Sequence, residues 1–294
     1  MTALAQALVQ LGEFSQRLSR VSARTYQNPY TALDWPDTLN AEAGWFTSEE
    51  LLSLHGTGYW DELAEPERRR LSLLEAANFY SLNIHGEKSL MSGLAARLYR
   101  PDLLDFTSYL HHFLDEENKH SVYFGGFCTR YAKVYRSRQV PVAGDDRPRD
   151  VEDFLFFAKA MAFEEIVDYY NQLQARDARL HPVARFINDN HHREETRHLV
   201  FGRALVSALW QAADWDTATR ADLGDQLTEF LLASWREYYN PDVYADLGLA
   251  DPWGAAEAAW ASQAQRRHRR LASARCLSFL ISLGVLPKEV TDAV

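Results

Sequence analysis

The chain has 294 residues, of which 47% are hydrophobic, and it carries a net charge of −10 at pH 7. This composition allows a substantial buried core, and the acidic balance excludes a general binder of nucleic acids or anionic membranes, which would need a basic surface. Only two cysteines and no run of about 18 apolar residues occur, so we expect a cytoplasmic protein without a disulfide framework or a membrane span.

Helical spacing of apolar residues accounts for most of the chain, and no segment of useful length alternates as a strand does. An irregular, aromatic-rich segment is predicted at 26–60. Prolines and a glycine predict a linker at 139–150. The prolines at 66 and 101 suit the first turns of helices. Helices are predicted at about 3–23, 66–99, 101–135, 151–176, 182–212, 217–239 and 254–283.

Two segments carry a pattern of metal ligands. His191, Glu195 and His198 fall at i, i+4 and i+7, and Glu117 and His120 repeat the Glu-x-x-His half of that pattern. Residues three and four apart lie on one helix face, so each Glu-x-x-His can converge on one ion. Bundles that bind paired iron or manganese ions use one Glu from each of two helices and Glu-x-x-His from the other two.

The distance to the first predicted turn identifies one of the remaining glutamates. Residues equally far from a turn between antiparallel helices lie at the same height. Glu87 lies 13 residues before Arg100 and Glu117 lies 17 residues after it, a mismatch of roughly one helical turn. Glu75 lies 25 residues before Arg100 and fits less well, so Glu87 is preferred.

The same test applied to the second pair of helices identifies the other glutamate. Glu164 lies 16 residues before Leu180 and Glu195 lies 15 residues after it, so the two are level. Glu165 fits the height almost as well and remains the alternative. Glu164 is preferred because it shares a helical stripe with Phe157.

Together these residues predict a two-metal site in a helical bundle. Four carboxylates and three imidazoles balance two divalent ions and favour iron or manganese over metals that prefer sulfur ligands. We predict an all-α, ferritin-like four-helix bundle with additional flanking helices, forming a single domain over 1–294. Its core bundle spans about 66–212, its N-terminal flank 1–65 and its C-terminal helices about 213–294. The predicted ligands are Glu87, Glu117, His120, Glu164, His191, Glu195 and His198.

With these residues, the chain resembles the p-aminobenzoate N-oxygenase (AurF-like) family of ferritin-like non-haem di-iron oxygenases over about 60–201. Ferritin-like carboxylate sites supply two histidines, and this family has a third one turn before the last Glu-x-x-His, which His191 matches. The family's interval of 27 residues also separates Glu164 from His191. The 30 residues between Glu87 and Glu117 are fewer than in characterised arylamine oxygenases, a departure that bears on the substrate.

The resemblance implies two iron ions, with Mn/Fe as the alternative, and O2 as co-substrate. A peroxo di-iron species would oxidise the nitrogen of an amine, in most members an aromatic one, to hydroxylamine and nitro products. The resemblance also implies an electron-donor reductase, a small-molecule amine that some members take tethered to a carrier protein, and a homodimer. A di-iron or Mn/Fe hydroxylase or desaturase acting on carbon, and a non-enzymatic metal-binding ferritin-like protein, remain open alternatives.

A substrate pocket is predicted beside the metal site. Tyr80, Phe124 and Phe157 lie at helical spacing near the ligands and are candidates for its walls. Asp168, one turn beyond Glu164, is predicted to orient a ligand histidine or to form a pocket wall. Arg270, from a cluster of arginines at 266–270, is a candidate for binding a substrate carboxylate. No catalytic residue is predicted beyond the metal centre.

Overall fold

The computed structural model describes residues 3–41, 44–138 and 147–294, and within these ranges every regular element is a helix. Trp45 and Leu180 form an isolated bridge that does not extend into a sheet. The predicted all-α class is therefore confirmed. The helices are α1 (Ala3–Thr25), α2 (Gly58–Glu62), α3 (Glu65–Arg97), α4 (Thr107–Tyr131), α5 (Arg149–Arg176), α6 (Pro182–Ala212), α7 (Thr217–Tyr238), α8 (Pro241–Leu247), α9 (Pro252–Ala261), α10 (Gln263–Ser282) and α11 (Val290–Ala293).

Helices α3 to α6 form the predicted ferritin-like four-helix bundle. α3 packs along α4, and α5 packs along α6. In both pairs residue numbers rise along one helix as they fall along its neighbour, as in the contacts Ser81–Cys128 and Glu87–Ser121, so the pairs are antiparallel. α1 packs on α4 and α6, while α7 and α10 pack on α5. None of the helices in the described ranges is long and apolar enough to cross a membrane.

The connection between α3 and α4 is longer than the sequence predicts. The chain leaves α3 through Tyr99, whose φ of 58° lies in the left-handed region that a right-handed helix cannot continue. α4 therefore begins at Thr107 rather than at 101. With these bounds Glu87 lies ten residues before Arg97, the last residue of α3, and Glu117 lies ten residues after Thr107. The one-turn mismatch between the two glutamates disappears.

The C-terminal region contains more breaks than predicted. The predicted helix at 254–283 is two helices, α9 and α10, because the extended backbone of Ser262 separates them and its side chain accepts a hydrogen bond from the Gln265 amide. α8 was not predicted, because a segment this short that begins at a proline and is followed by a glycine reads as a turn in the sequence. Of the predicted linker, 139–146 lie outside the described residues, and 149–150 belong to α5.

A buried ion pair ties α5 to the end of α3. Asp153, with 8% of its side chain exposed, accepts a hydrogen bond of 2.9 Å from Arg97 Nε. It also accepts hydrogen bonds from Arg100. The guanidinium group of Arg97 lies over the ring of Phe156 at 3.9 Å. Because a ring cannot replace a carboxylate, the charge of Arg97 depends on its ion pair with Asp153.

Replacing Asp153 with alanine is expected to lower the free energy of unfolding by about 3 kcal/mol, because a buried charge is left without its partner. Urea denaturation of the metal-free protein would measure this loss. Glu13→Ala, at an exposed position, is the control and is expected to change stability by less than about 0.5 kcal/mol. A loss as small as the control's would contradict the assigned role of the pair.

Candidate metal centre

The seven side chains predicted as ligands come together in the middle of the bundle. Each of these residues is at most 2% exposed to solvent. α3 and α5 contribute one glutamate each, α4 contributes a Glu-x-x-His, and α6 contributes a Glu-x-x-His preceded by a further histidine. The converging residues are Glu87, Glu117, His120, Glu164, His191, Glu195 and His198.

Two glutamates occupy the middle of this cluster. His120 Nδ1 lies 3.4 Å from both Glu117 Oε2 and Glu195 Oε1. His198 Nδ1 lies 3.0 Å from Glu117 Oε1 and 3.0 Å from Glu195 Oε1. Glu87 is more peripheral, with its Oε1 atom 3.6 Å from His120 Nδ1. Glu117 thus lies beside two imidazoles, and Glu195 beside the same two and His191, so both carboxylates stand in the middle of the donor set.

His191 closes the cluster on the side of the two lone glutamates. Its Nε2 atom lies 3.2 Å from Glu195 Oε1, 3.8 Å from Glu87 Oε1 and 4.0 Å from Glu164 Oε2. Donor atoms about 2.1 Å from one ion lie roughly 3–4 Å from one another. Three groups have ligand atoms within 4.8 Å of one another, namely Glu87–His120–His191, Glu117–His120–Glu195 and Glu164–His191–Glu195.

The cluster contains carboxylate oxygens whose hydrogen-bonding capacity is unused. Within the part of the chain that the structure describes, Glu87 Oε1, Glu164 Oε2 and Glu195 Oε2 are buried without a hydrogen-bond partner. Such atoms are rare in folded proteins because their desolvation is unfavourable. Cations bound among them would satisfy all three. Carboxylate and imidazole donors suit iron or manganese, so the residues present fit a two-metal centre.

The ionisable groups of the cluster have strongly shifted pKa values. Burial, reinforced by the charges of neighbouring carboxylates, raises the pKa of Glu87 and of Glu164 well above the usual range. Burial opposes protonation of His120 and His198, but the surrounding carboxylates prevail and raise the pKa of both. Burial lowers the pKa of His191, which leaves that imidazole neutral. Metal ions would displace protons from this cluster, so their affinity should fall at low pH.

Two further glutamates contact the outer nitrogens of two predicted ligand histidines. His120 Nε2 lies 3.0 Å from Glu194 Oε2, and His198 Nε2 lies 2.8 Å from Glu116 Oε2. Each contact crosses between helices, because Glu194 belongs to α6 and Glu116 to α4. A carboxylate in this position fixes the tautomer and the orientation of a metal-binding histidine.

Each of these outer carboxylates is neutralised by a buried cation. Glu194 Oε1 accepts a hydrogen bond of 2.6 Å from Lys119 Nζ, and Glu116 Oε1 accepts one of 2.5 Å from Arg197. Burial alone would raise the pKa of Glu116, but His198 and Arg197 hold it at about 2. None of these four residues was predicted from the sequence. Their signal is the repeat Glu-Glu-x-basic-His at 116–120 and 194–198.

A cavity of about 660 Å³ between α3, α5 and α7 reaches Glu164. Small-molecule sites in proteins typically enclose about 300–1,000 Å³. Phe156 and Phe163 of α5 and Phe230 of α7 line the walls, and Lys159 adds a basic group. The cavity therefore joins a predicted metal ligand to a space that fits an aromatic molecule.

A family model described as p-aminobenzoate N-oxygenase AurF matches residues 10–284. The chain belongs to the AurF family. The match extends beyond the bundle into the flanking helices, and it confirms the resemblance inferred from the ligand pattern. The family is one of oxygenases, named for a reaction at the nitrogen of an aromatic amine. A search of curated proteins found no match.

Asp168 is placed differently from the prediction in this AurF-family chain. Its Oδ1 atom lies 2.6 Å from Nδ1 of His192, which is outside the cluster, and it is absent from the described lining of the cavity. The carboxamide of Asn171 instead lies 2.8 Å from His191 Nδ1. Seven residues after Glu164, Asn171 lies about 20 degrees from its direction, and Asp168 lies about 40 degrees to the other side.

The choice between the adjacent glutamates of α5 follows from their partners. Glu164 lies in the cluster, within 4.0 Å of His191 Nε2. Glu165 is also buried, but it pairs with Arg203 and lies 3.9 Å from Arg275 Nε. The hydrophobic stripe used in the sequence analysis therefore selected the glutamate that faces the bundle interior.

The side chains predicted for the substrate pocket pack elsewhere. Tyr80 stacks on Phe124 with ring centroids 5.2 Å apart, and Phe124 packs edge-on against His191 at 5.0 Å. Arg270 is exposed and pairs with Asp292 at 3.2 Å. Among the described residues, the cavity lining includes none of the predicted set of Tyr80, Phe124, Phe157, Asp168 and Arg270.

Glu75, the alternative to Glu87, is buried away from the cluster. Its Oε2 atom accepts a hydrogen bond of 2.9 Å from the Ser53 amide. Burial raises the pKa of Glu75 from 4.5 to about 7. The hydroxyls of Tyr170, Tyr239 and Tyr244 interact electrostatically with it, and burial keeps them neutral in this range by raising their pKa values.

The folded protein binds the Glu75 proton more tightly than the unfolded chain does. The stabilisation is therefore complete below about pH 4.5 and is lost as the pH rises through about 7. Relative to wild type, Glu75→Gln is expected to gain roughly 3 kcal/mol of unfolding free energy between pH 4.5 and pH 8. Urea denaturation of both metal-free proteins measures this difference. The titration of the metal cluster contributes equally to the two proteins and so cancels in the comparison. A difference independent of pH would contradict the assigned pKa.

Proposed function

We propose that this protein is a non-haem di-iron oxygenase that oxidises the nitrogen of an aromatic amine to a hydroxylamine and then towards a nitro group. The observation that carries the proposal is the group of seven buried carboxylates and imidazoles beside a cavity that reaches Glu164. Membership of the AurF family supports the reaction class. Two irons are proposed, with Mn/Fe as the alternative that metal analysis would detect.

The proposed reaction consumes O2 and an external reductant. One oxygenation combines R–NH2, O2, two electrons and two protons into R–NHOH and water. When bound, the metal pair supplies O2 binding and the exchange of two electrons. Glu87 with the two Glu-x-x-His pairs, Glu164 and His191 would hold the ions, while Glu116 and Glu194 would keep two imidazoles correctly oriented.

The cavity would position the amine and exclude water. Phe156, Phe163 and Phe230 offer apolar surface to an aromatic ring, and the amine nitrogen would approach the metals beside Glu164. Lys88 and Lys159 also line the cavity, so an anionic substituent on the ring would find a cationic partner there.

The test is product analysis with isotopically labelled O2. Iron-loaded, chemically reduced protein would be exposed to ¹⁸O2 with aromatic amines that carry or lack a carboxylate. We expect labelled hydroxylamine and nitro products, with preference for the carboxylates. Products oxidised only at carbon would contradict N-oxygenation and identify the hydroxylase or desaturase alternative. Bound iron without any product, in a large shell by light scattering, would support the non-enzymatic alternative.

Filling the cavity is expected to separate substrate binding from metal binding. Ala160 lines the cavity, and tryptophan there would occupy much of its volume. Ala160→Trp is expected to lower kcat/KM for the amine at least about 100-fold, which corresponds to a loss of about 2.7 kcal/mol of transition-state stabilisation, while leaving bound iron unchanged. Ala160→Ser is the conservative control. Undiminished turnover in the tryptophan variant would exclude this cavity as the substrate site.

The proposal includes a setting for this activity. A cytoplasmic location, an electron-donor reductase and a homodimer are proposed, and the amine is either free or tethered to a carrier protein. Light scattering of the purified protein tests the dimer. Parallel assays with a free amine and with the same amine loaded on an acyl carrier protein distinguish the two forms of substrate.

A further inference from the structure

α10 places a concentration of positive charge on a chain whose net charge is −10. Its sequence, QAQRRHRRLASARCLSFLIS, contains five arginines and no acidic residue. Arg269 points inward, where it donates hydrogen bonds to the Val294 carbonyl and to the Tyr239 hydroxyl. The other arginines of the helix are exposed, namely Arg266, Arg267, Arg270 and Arg275.

Three exposed residues of α10 form a single row, which we call the α10 stripe: Arg267, Leu271 and Arg275, at i, i+4 and i+8. Leu271 is 54% exposed. Arg267 makes no hydrogen bond or ion pair within the described ranges, and the side chain of Arg275 is 63% exposed, with one contact of 3.9 Å to Glu165. Arginines around an exposed apolar side chain are typical of protein interfaces, where Arg is enriched.

The α10 stripe is connected to the metal cluster by a short series of contacts. His268 follows Arg267 in the chain, and its Nε2 atom lies 2.7 Å from the hydroxyl of Tyr170 in α5. The next residue in α5 is Asn171, whose carboxamide contacts His191 Nδ1 at 2.8 Å. Two side-chain contacts, joined by the backbone between Tyr170 and Asn171, therefore lead from His268 of α10 to a predicted metal ligand.

The stripe is separate from the route by which a substrate would enter. The described lining of the 660 Å³ cavity comes mainly from α3, α5 and α7 and includes no residue of α10. A partner bound to the stripe would not deliver an amine to Glu164. It would be placed to exchange electrons through the contacts that end at His191.

We propose that the α10 stripe is the docking site of an acidic one-electron carrier protein of the ferredoxin type. The inference rests on the proposed function, which needs a reductant. Each docked carrier gives up one electron and leaves in its oxidised form, so two successive carriers supply the two electrons of one oxygenation. Complementary charge speeds such encounters and makes them sensitive to salt.

The test measures binding of the carrier directly, so it does not depend on turnover. A plant-type [2Fe–2S] ferredoxin would be titrated calorimetrically into the full-length, iron-loaded protein at about 20 mM and about 200 mM salt, because the distance over which charges attract shortens as ionic strength rises. The variant is Arg267→Glu/Arg275→Glu. The control is Arg20→Glu/Arg24→Glu, which makes the same change in net charge at exposed positions of α1. That helix packs on α4 and α6, whereas α10 packs on α5.

For wild type we expect the Kd to weaken at least about tenfold between the two salt concentrations. At low salt the stripe variant is expected to weaken the Kd at least about tenfold and the control less than about twofold. Leu271→Ser, which keeps every charge, is expected to weaken it about threefold. No binding by wild type at low salt, or equal weakening by both charge reversals, would overturn the proposal.

Two further arms separate this proposal from the proposed function. If an acidic acyl carrier protein binds through the same arginines and ferredoxin does not, the occupant is a different one and the proposal is overturned. In a single turnover after dithionite reduction no carrier is needed, so the stripe variant should form as much product as wild type. Failure of wild type to form product there counts against the proposed function, whereas stripe-dependent binding of ferredoxin would still support docking.

Discussion

Replacing Glu195 with alanine is expected to lower the iron content of the anaerobically loaded protein from about two ions per chain to below about 0.5. Glu195 Oε1 lies 3.4 Å from His120 Nδ1, 3.2 Å from His191 Nε2 and 3.0 Å from His198 Nδ1. One carboxylate oxygen is thus near every imidazole of the cluster, so its removal would take away the donor that the three predicted histidine ligands surround. Amine oxidation should be lost with the metal. Elemental analysis of iron per folded chain measures the effect.

The control for this substitution is Glu165→Ala. Glu165 is a buried glutamate of the same bundle, but its carboxylate pairs with Arg203 outside the cluster. It should therefore retain about two irons per chain while losing some stability. Circular dichroism would establish that both variants are folded. Wild-type iron content in folded Glu195→Ala would contradict the proposed centre. Equal iron loss in both variants would mean that the loss does not depend on the residues of the cluster.

The seven residues that converge in the bundle could be predicted from the sequence because their placement depends on local geometry and on the positions of two turns. Glu117 with His120, and Glu195 with His198, are fixed by helical spacing alone. The lone glutamates required only the positions of two turns, and an error of six residues at the start of α4 did not change the choice of Glu87 over Glu75. In antiparallel helices, the number of residues from the turn determines the height of a residue in the bundle.

The cavity beside Glu164 could not be predicted from the sequence, because a cavity is what remains after distant elements have packed. Helical spacing correctly placed Phe157 in the interior, where its ring centroid lies 6.5 Å from that of Phe201. The cavity is lined instead by Phe156 and Phe163 of the same helix, one position before and six positions after Phe157, and its other wall comes from Phe230 of α7. No pattern within α5 specifies where α7 leaves space.

The outer carboxylates lie between these two cases. The repeat Glu-Glu-x-basic-His is visible in the printed sequence, yet the role of Glu116 depends on a residue 82 positions away. Only the antiparallel placement of two matching segments on neighbouring helices makes each first glutamate a partner for the other segment's histidine. Asn171 has no such repeat, and its contact with His191 follows from packing alone.

Removing the two outer carboxylates together should have the second large effect. In Glu116→Gln/Glu194→Gln the ligand residues remain, but His198 and His120 lose their charged acceptors, so each ring is held less firmly and becomes a weaker metal donor. Each substitution is expected to weaken iron affinity about 10- to 100-fold. Because the glutamates contact different histidines, the two losses should multiply when both ions are considered.

Competition with a chelator, using Fe(II) under anaerobic conditions, would give the affinities of both single variants and the double variant. Glu165→Gln provides the same change of carboxylate to amide outside the cluster and should leave affinity within about twofold of wild type. Similar losses in the two single variants are expected, because Lys119 and Arg197 occupy equivalent positions beside Glu194 and Glu116. An affinity unchanged in the double variant would mean that the imidazoles are held by bundle packing, and that the crossed carboxylates only neutralise their neighbouring cations.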